Sequence, residues 1–162
     1  MRKPALVSSI VAALVLVAAA ASASSSREVA RAVTNDTLLE NAGIEPAAAQ
    51  IRRPCSAAVV ETDDPPEFFN CVYVQTAKDL NLFSLEDGYL MSELQLKLGN
   101  VEGVALQHMG KYSQVQIFDG RRVAVLYIHD ASWIDSAETE TVYRWLLEHG
   151  VRERAPVKWI GP

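Results

Sequence analysis

The clearest hydrophobic pattern lies in the second half of the chain. Residues 113–118 alternate, with Val115 and Ile117 on one face and Gln114 and Gln116 on the other, which predicts a half-buried strand. Asp119-Gly120 follows, a strong hairpin signal, and residues 123–128 return as a continuous apolar run of the kind buried on both faces. Asp135 predicts a helix N-cap with Glu138 three residues on, and Gly150 predicts its end. Val142, Trp145, Leu146 and His149 form the expected inner stripe of that helix. Upstream, residues 101–108 read as a strand. Downstream, residues 156–160 read as an edge strand opened by a proline.

Earlier in the chain, residues 56–61 and 71–75 read as two strands. They are joined by an acidic loop containing Asp63, Asp64 and Glu67. Residues 84–98 fit two patterns. Ser84-Leu85-Glu86-Asp87 resembles a capping box, Leu90, Met91, Leu94 and Leu98 follow helical spacing, and Gly99 suits a helix stop. Residues 94–98 also alternate with period two. The scarcity of β-branched residues favours the helix. Residues 70–160 then run strand, helix, strand, strand, helix, strand. That order predicts an α+β fold of the ferredoxin-like βαββαβ kind, an antiparallel sheet with helices packed on one face. Such a fold carries little functional information.

The N-terminal part divides in two. Arg2 and Lys3 precede an apolar run that ends in Ala21-Ser22-Ala23, so residues 1–23 read as a signal peptide cleaved after Ala23. Residues 24–54 are rich in Ala and Ser and read as a short helical arm or linker. Val29 and Val33 lie one turn apart, Asn41-Ala42-Gly43 is a stop, and Pro46 opens a short helix over residues 47–53. Residues 55–162 form the single expected domain. Within the arm, Asn35-Asp36-Thr37 is an acceptor sequon for N-linked glycan.

Charge and composition narrow the partners. Cleavage removes two cations and no acid from a chain of 15 Lys+Arg and 20 Asp+Glu, leaving 13 against 20, a net −7. That excess of acid argues against nucleic acid and, once the signal is gone, against an anionic membrane surface. The expected localisation is secreted or extracytoplasmic. In that oxidising setting the two cysteines, Cys55 and Cys71, are expected to form a structural disulfide.

Candidate chemistry is sparse. His108, His129 and His149 lack metal-ligand spacing, the acidic loop matches no calcium motif, and no phosphate loop or nucleophile elbow is present. No metal or cofactor is therefore expected. His129-Asp130 follows a buried strand at a sheet edge, so an enzyme would use His129 as general base with Asp130 or Asp119 beside it. A binding protein would instead offer Trp133 and His129 as contacts. The favoured expectation is an exported, non-enzymatic domain that binds a protein or small ligand. A small secreted hydrolase acting through His129 is one alternative, and a protease inhibitor or chaperone-like domain is another.

Overall fold

A computed structural model describes residues 24–61, 66–120, 122–130 and 133–157. The expected signal peptide and the acidic residues Asp63 and Asp64 lie outside them. At its centre is one seven-stranded sheet of β1 (Ile51–Glu61), β2 (Phe69–Gln75), β3 (Asp79–Glu86), β4 (Tyr89–Lys97), β5 (Gly103–Met109), β6 (Tyr112–Asp119) and β7 (Arg122–Ile128). The spatial order is β4-β3-β2-β1-β7-β6-β5, with every strand antiparallel to its neighbours. Strands β1 to β4 meander from the middle to one edge. Strands β5 to β7 meander back from the other edge, until β7 pairs with β1.

This order corrects the ferredoxin-like expectation. The decisive element is residues 84–98, which form a hairpin and not a helix. Asp87-Gly88 makes the turn, with φ of 49° and 82°. Two successive positive φ values define the hairpin turn that Asp-Gly pairs favour. The period-two reading of residues 94–98 was the correct one, since Leu94 and Leu96 are buried while Gln95 and Lys97 are exposed. Packing against Leu80 and Leu82 of β3 overrides the helical preference of the individual residues.

Helices also lie on both faces of the sheet, not one. Helix α3 (Ser136–Glu148) packs Val142, Tyr143 and Leu146 onto Val115, Ile117 and Leu126. On the opposite face, α1 (Ser26–Val33) and α2 (Asp36–Asn41) pack Val29, Ala32, Val33 and Leu39 onto Val72, Val74, Phe83 and Leu90. Strand alternation supplies both contacts at once, with Cys71 and Tyr73 facing the α3 side of β2 and Val72 and Val74 facing the α1 side. The arm is therefore docked. Its third predicted helix is only a single 3-10 turn, Pro46–Ala48, because β1 begins at Ile51.

The link from β4 to β5 must cross from one sheet edge to the other within residues 98–102. Five residues reach at most about 20 Å. Six strand spacings would hold the edges of a flat sheet roughly 29 Å apart. The sheet is thus required to coil, and its inherent twist of about 20–25° per strand pair provides for this. The link is anchored at both ends, by Leu98 N–H to the Lys78 carbonyl and Glu102 N–H to the Phe118 carbonyl, each 2.8 Å.

Several expected features are present with altered detail. Cys55 and Cys71 are disulfide-bonded, as expected, and are register partners on β1 and β2. Such a bond belongs to an oxidising, extracytoplasmic setting. No helix among the described residues is long and apolar enough to cross a membrane. Asp135 caps α3, accepting from the Glu138 N–H at 3.0 Å, but the Glu138 carboxylate binds Arg53 at 2.8 Å instead of closing the box. The inner stripe of α3 is Thr139, Val142, Tyr143 and Leu146. Trp145 is half-buried and stacks on exposed His149 at 3.5 Å.

The polar face of β6 is buried as well. Gln114 donates to the Tyr127 hydroxyl, and the Gln116 amide donates to both Gln114 and Gln107 at 2.9 Å. Gln116 also accepts from the Val157 N–H at 2.9 Å and donates to its carbonyl at 3.2 Å, which ties the C-terminal segment to this face. At Glu153 that segment makes a parallel bridge to Val104, which covers part of the β5 edge. Residues 158–160 of the expected edge strand lie outside the described residues.

Candidate functional site: an aromatic patch beside the β5–β6 turn

The patch is assembled where three chain segments meet. Gly110-Lys111 turns β5 into β6, and Gly110 has a φ of 64° that favours glycine. This puts Lys111 and Tyr112 at the tip. The start of α3 braces the turn, with the Ser136 hydroxyl donating to the Lys111 carbonyl at 3.0 Å and accepting from the Ser113 N–H at 2.9 Å. The third segment follows β7. Asp130 N–H donates to the Trp133 carbonyl at 2.9 Å, while Trp133 N–H donates to the Asp130 carboxylate at 2.8 Å. This reciprocal pair ties Trp133 to Asp130 at the exit of β7.

Trp133 is 60% exposed yet fixed in place. Its indole N–H donates to the Tyr112 hydroxyl at 2.7 Å, and the two rings lie 6.3 Å apart at a 47° tilt. The Lys111 ammonium sits 5.0 Å from the centre of the Tyr112 ring, within cation–π range. Lys111 and, after it, the Trp133 N–H hold the Tyr112 hydroxyl below its ordinary pKa. The result is an exposed indole against a half-buried Tyr112 ring, with the Lys111 ammonium and the Asp130 carboxylate near them. Trp and Tyr offer large contact area and few rotatable bonds, the properties that concentrate binding energy at interfaces.

His129 occupies a different environment from the one an exposed base requires. Its backbone N–H donates to the Pro54 carbonyl at 2.8 Å, on the last rung of the β1–β7 ladder, where a proline costs least. Its ring Nε2 is buried and has no hydrogen-bond partner among the described residues. Burial holds the imidazole pKa below its usual value, and the charge of Asp130 partly offsets that. Asp119, the other carboxylate proposed for an enzyme, pairs with Arg122 at 2.5 Å at the far end of β7. Seven strand residues separate it from His129, about 23 Å. The structure thus brings together Asp130 and Trp133, keeps His129 adjacent, and sets Asp119 apart.

A second polar group borders the patch. The Ser113 hydroxyl donates to Glu140 at 2.9 Å, and His108 Nδ1 lies 3.1 Å from the same oxygen. In a nucleophilic relay the histidine stands between serine and carboxylate. Here both converge on a serine that is 2% exposed, so the hydroxyl acts as a bridge between β6 and α3. Among the described residues no group of three or more His, Cys, Asp or Glu could hold a metal ion.

Trp133 stands out in the sequence, whereas Tyr112, Lys111, Ser113 and Glu140 do not. Their side chains meet across up to 27 positions of chain, and no local pattern encodes that. The sequence matches no protein-family model and no curated protein.

Proposed function

We propose that the chain is an exported, non-enzymatic binding domain, and that the surface carrying Trp133 and Tyr112 makes its principal contact. The carrying observation is Trp133 itself, largely exposed but held by the indole–Tyr112 hydrogen bond and its paired hydrogen bonds with Asp130. A large apolar side chain fixed in solvent loses little conformational freedom on binding, so more of its contact energy appears as affinity. The partner is a protein or a small ligand that can cover an aromatic face and meet the Lys111 charge. The expected leader and the disulfide support secretion as the setting.

The hydrolase reading requires His129 to accept a proton from substrate. One of its two ring nitrogens, Nε2, is buried without a hydrogen-bond partner among the described residues, and burial lowers the imidazole pKa. Two assays on the mature chain separate the readings. The first is a screen against ester, phosphodiester, glycoside and peptide substrates. The second is partner capture from the native extracellular fraction. The binding reading expects no turnover and a specific partner. Turnover that disappears in a folded His129→Ala variant would overturn it, since loss of a general base lowers rate by about 10²–10⁴-fold.

A further inference from the structure

We infer that Asn35 is an N-glycosylation site, with a lipid-linked oligosaccharide as the donor and the helical-arm face as the surface that carries the glycan. The inference rests on the exported reading above. The acceptor requires Asn-x-Ser/Thr with x other than proline, and Asn35-Asp36-Thr37 satisfies it. In the transfer the Asn35 Nδ2 nitrogen bonds to the anomeric carbon of the first sugar. The carbon–oxygen bond to the lipid pyrophosphate breaks, the pyrophosphate leaves, and one amide proton is released.

The fold accommodates the product. All three sequon residues are exposed, at the junction between α1 and α2. Among the described residues the Asn35 side chain bonds through its carbonyl oxygen, Oδ1, which accepts from the Leu38 N–H at 3.3 Å. The nitrogen that would carry the sugar is not the atom that makes this contact, so modification and the local hydrogen bond are compatible. The Asp36 carboxylate is paired with Arg52 at 2.5 Å. Asn35 also borders an open groove of about 640 Å³ between α1 and the β3–β4 turn, lined by Arg31, Leu38, Leu85 and Asp87. A glycan rooted there has room to leave the surface. It would also stand on the α1 face of the β1–β4 half, away from Trp133 beside α3, so the aromatic patch stays open.

The test is translation of the full chain with eukaryotic microsomes, read by protease protection and mass. The expected product is protected and carries one glycan. Peptide-N-glycosidase removes that glycan and leaves aspartate at position 35. Asn35→Asp and Thr37→Ala should both abolish the mass increase, while Thr37→Ser retains it. Asn35→Asp is the same polypeptide as the enzymatically deglycosylated chain, so the two should melt together and serve as each other's control. A protected but unmodified product overturns the inference and leaves export standing. An unprotected product overturns the export reading itself, and this inference with it.

Discussion

Reduction of the Cys55–Cys71 bond should lower stability by a calculable amount. The two cysteines are 16 residues apart, 1% and 0% exposed, and direct partners in the β1–β2 register with Cα atoms at 4.8 Å. The crosslink therefore joins positions the ladder already holds together, and its effect falls mainly on the unfolded chain. For a loop of this size the chain-entropy model gives about 3 kcal/mol. Cys55→Ala/Cys71→Ala removes the same crosslink and two buried sulfurs, adding roughly 1 kcal/mol for each atom deleted from the core. The expected losses are thus about 3 kcal/mol for reduction and about 5 kcal/mol for the double variant. For a domain of this length each kcal/mol corresponds to roughly 3–5 °C, so the melting temperature should fall by about 10 °C on reduction and further in the variant. Calorimetry of the mature chain with and without reductant, beside the double variant, measures both terms. A reduced protein melting within about 2 °C of the oxidised one would refute the reasoning, because it would mean the bond does not restrict the unfolded state.

Leu39→Ala deletes a fully buried side chain that anchors α2 to the sheet, and it should cost about 2–5 kcal/mol in a denaturant titration. An effect near zero would mean that the arm is not docked. Asp135→Ala removes the α3 cap and should cost about 1 kcal/mol, with Asp135→Asn close to neutral. His129 gives a pH dependence. Its folded pKa lies below the ordinary 6.5, so the unfolded chain binds the proton more readily. The stability held at neutral pH should therefore fall as pH drops below that value. Melting curves between neutral pH and pH 5 should show this, and His129→Gln should flatten it.

The elements legible in the sequence were those whose signals are local. The hairpin signalled at Asp119-Gly120, the capped helix after Asp135 and the single possible disulfide each rest on a few adjacent residues or on elimination, although the register keeps Asp119 in β6, paired with Arg122. Asp87-Gly88 carries the same turn signal as Asp119-Gly120. It was masked because Ser84-Leu85-Glu86-Asp87 imitates a capping box and the leucines that follow satisfy both periods. Sheet order was not legible at all. Nothing in β1 records that its partners are β2 and the distant β7, a choice made by packing two faces at once. Gln114 and Gln116 illustrate the same limit. Alternation marked them as a polar face, and only the assembled structure shows that face buried, with Tyr127, Gln107 and Val157 satisfying the amides. Trp133 was legible as a candidate contact because it stands beside a helix cap. Its hydrogen bond to Tyr112 depends on the β5–β6 turn and the β7 exit arriving at one place.

Trp133 is the proposed centre of the binding surface. The direct measurement is the affinity of the captured partner for wild type, Trp133→Ala and Trp133→Phe, with melting temperature recorded for each. Truncating an exposed contact residue should leave stability within about 0.5 kcal/mol. Loss of a dominant interface aromatic should weaken binding by at least about 2 kcal/mol, roughly 30-fold. Trp133→Phe keeps a ring but cannot donate to Tyr112, so it should fall between the two. Equal affinity in all three folded proteins would contradict the claim.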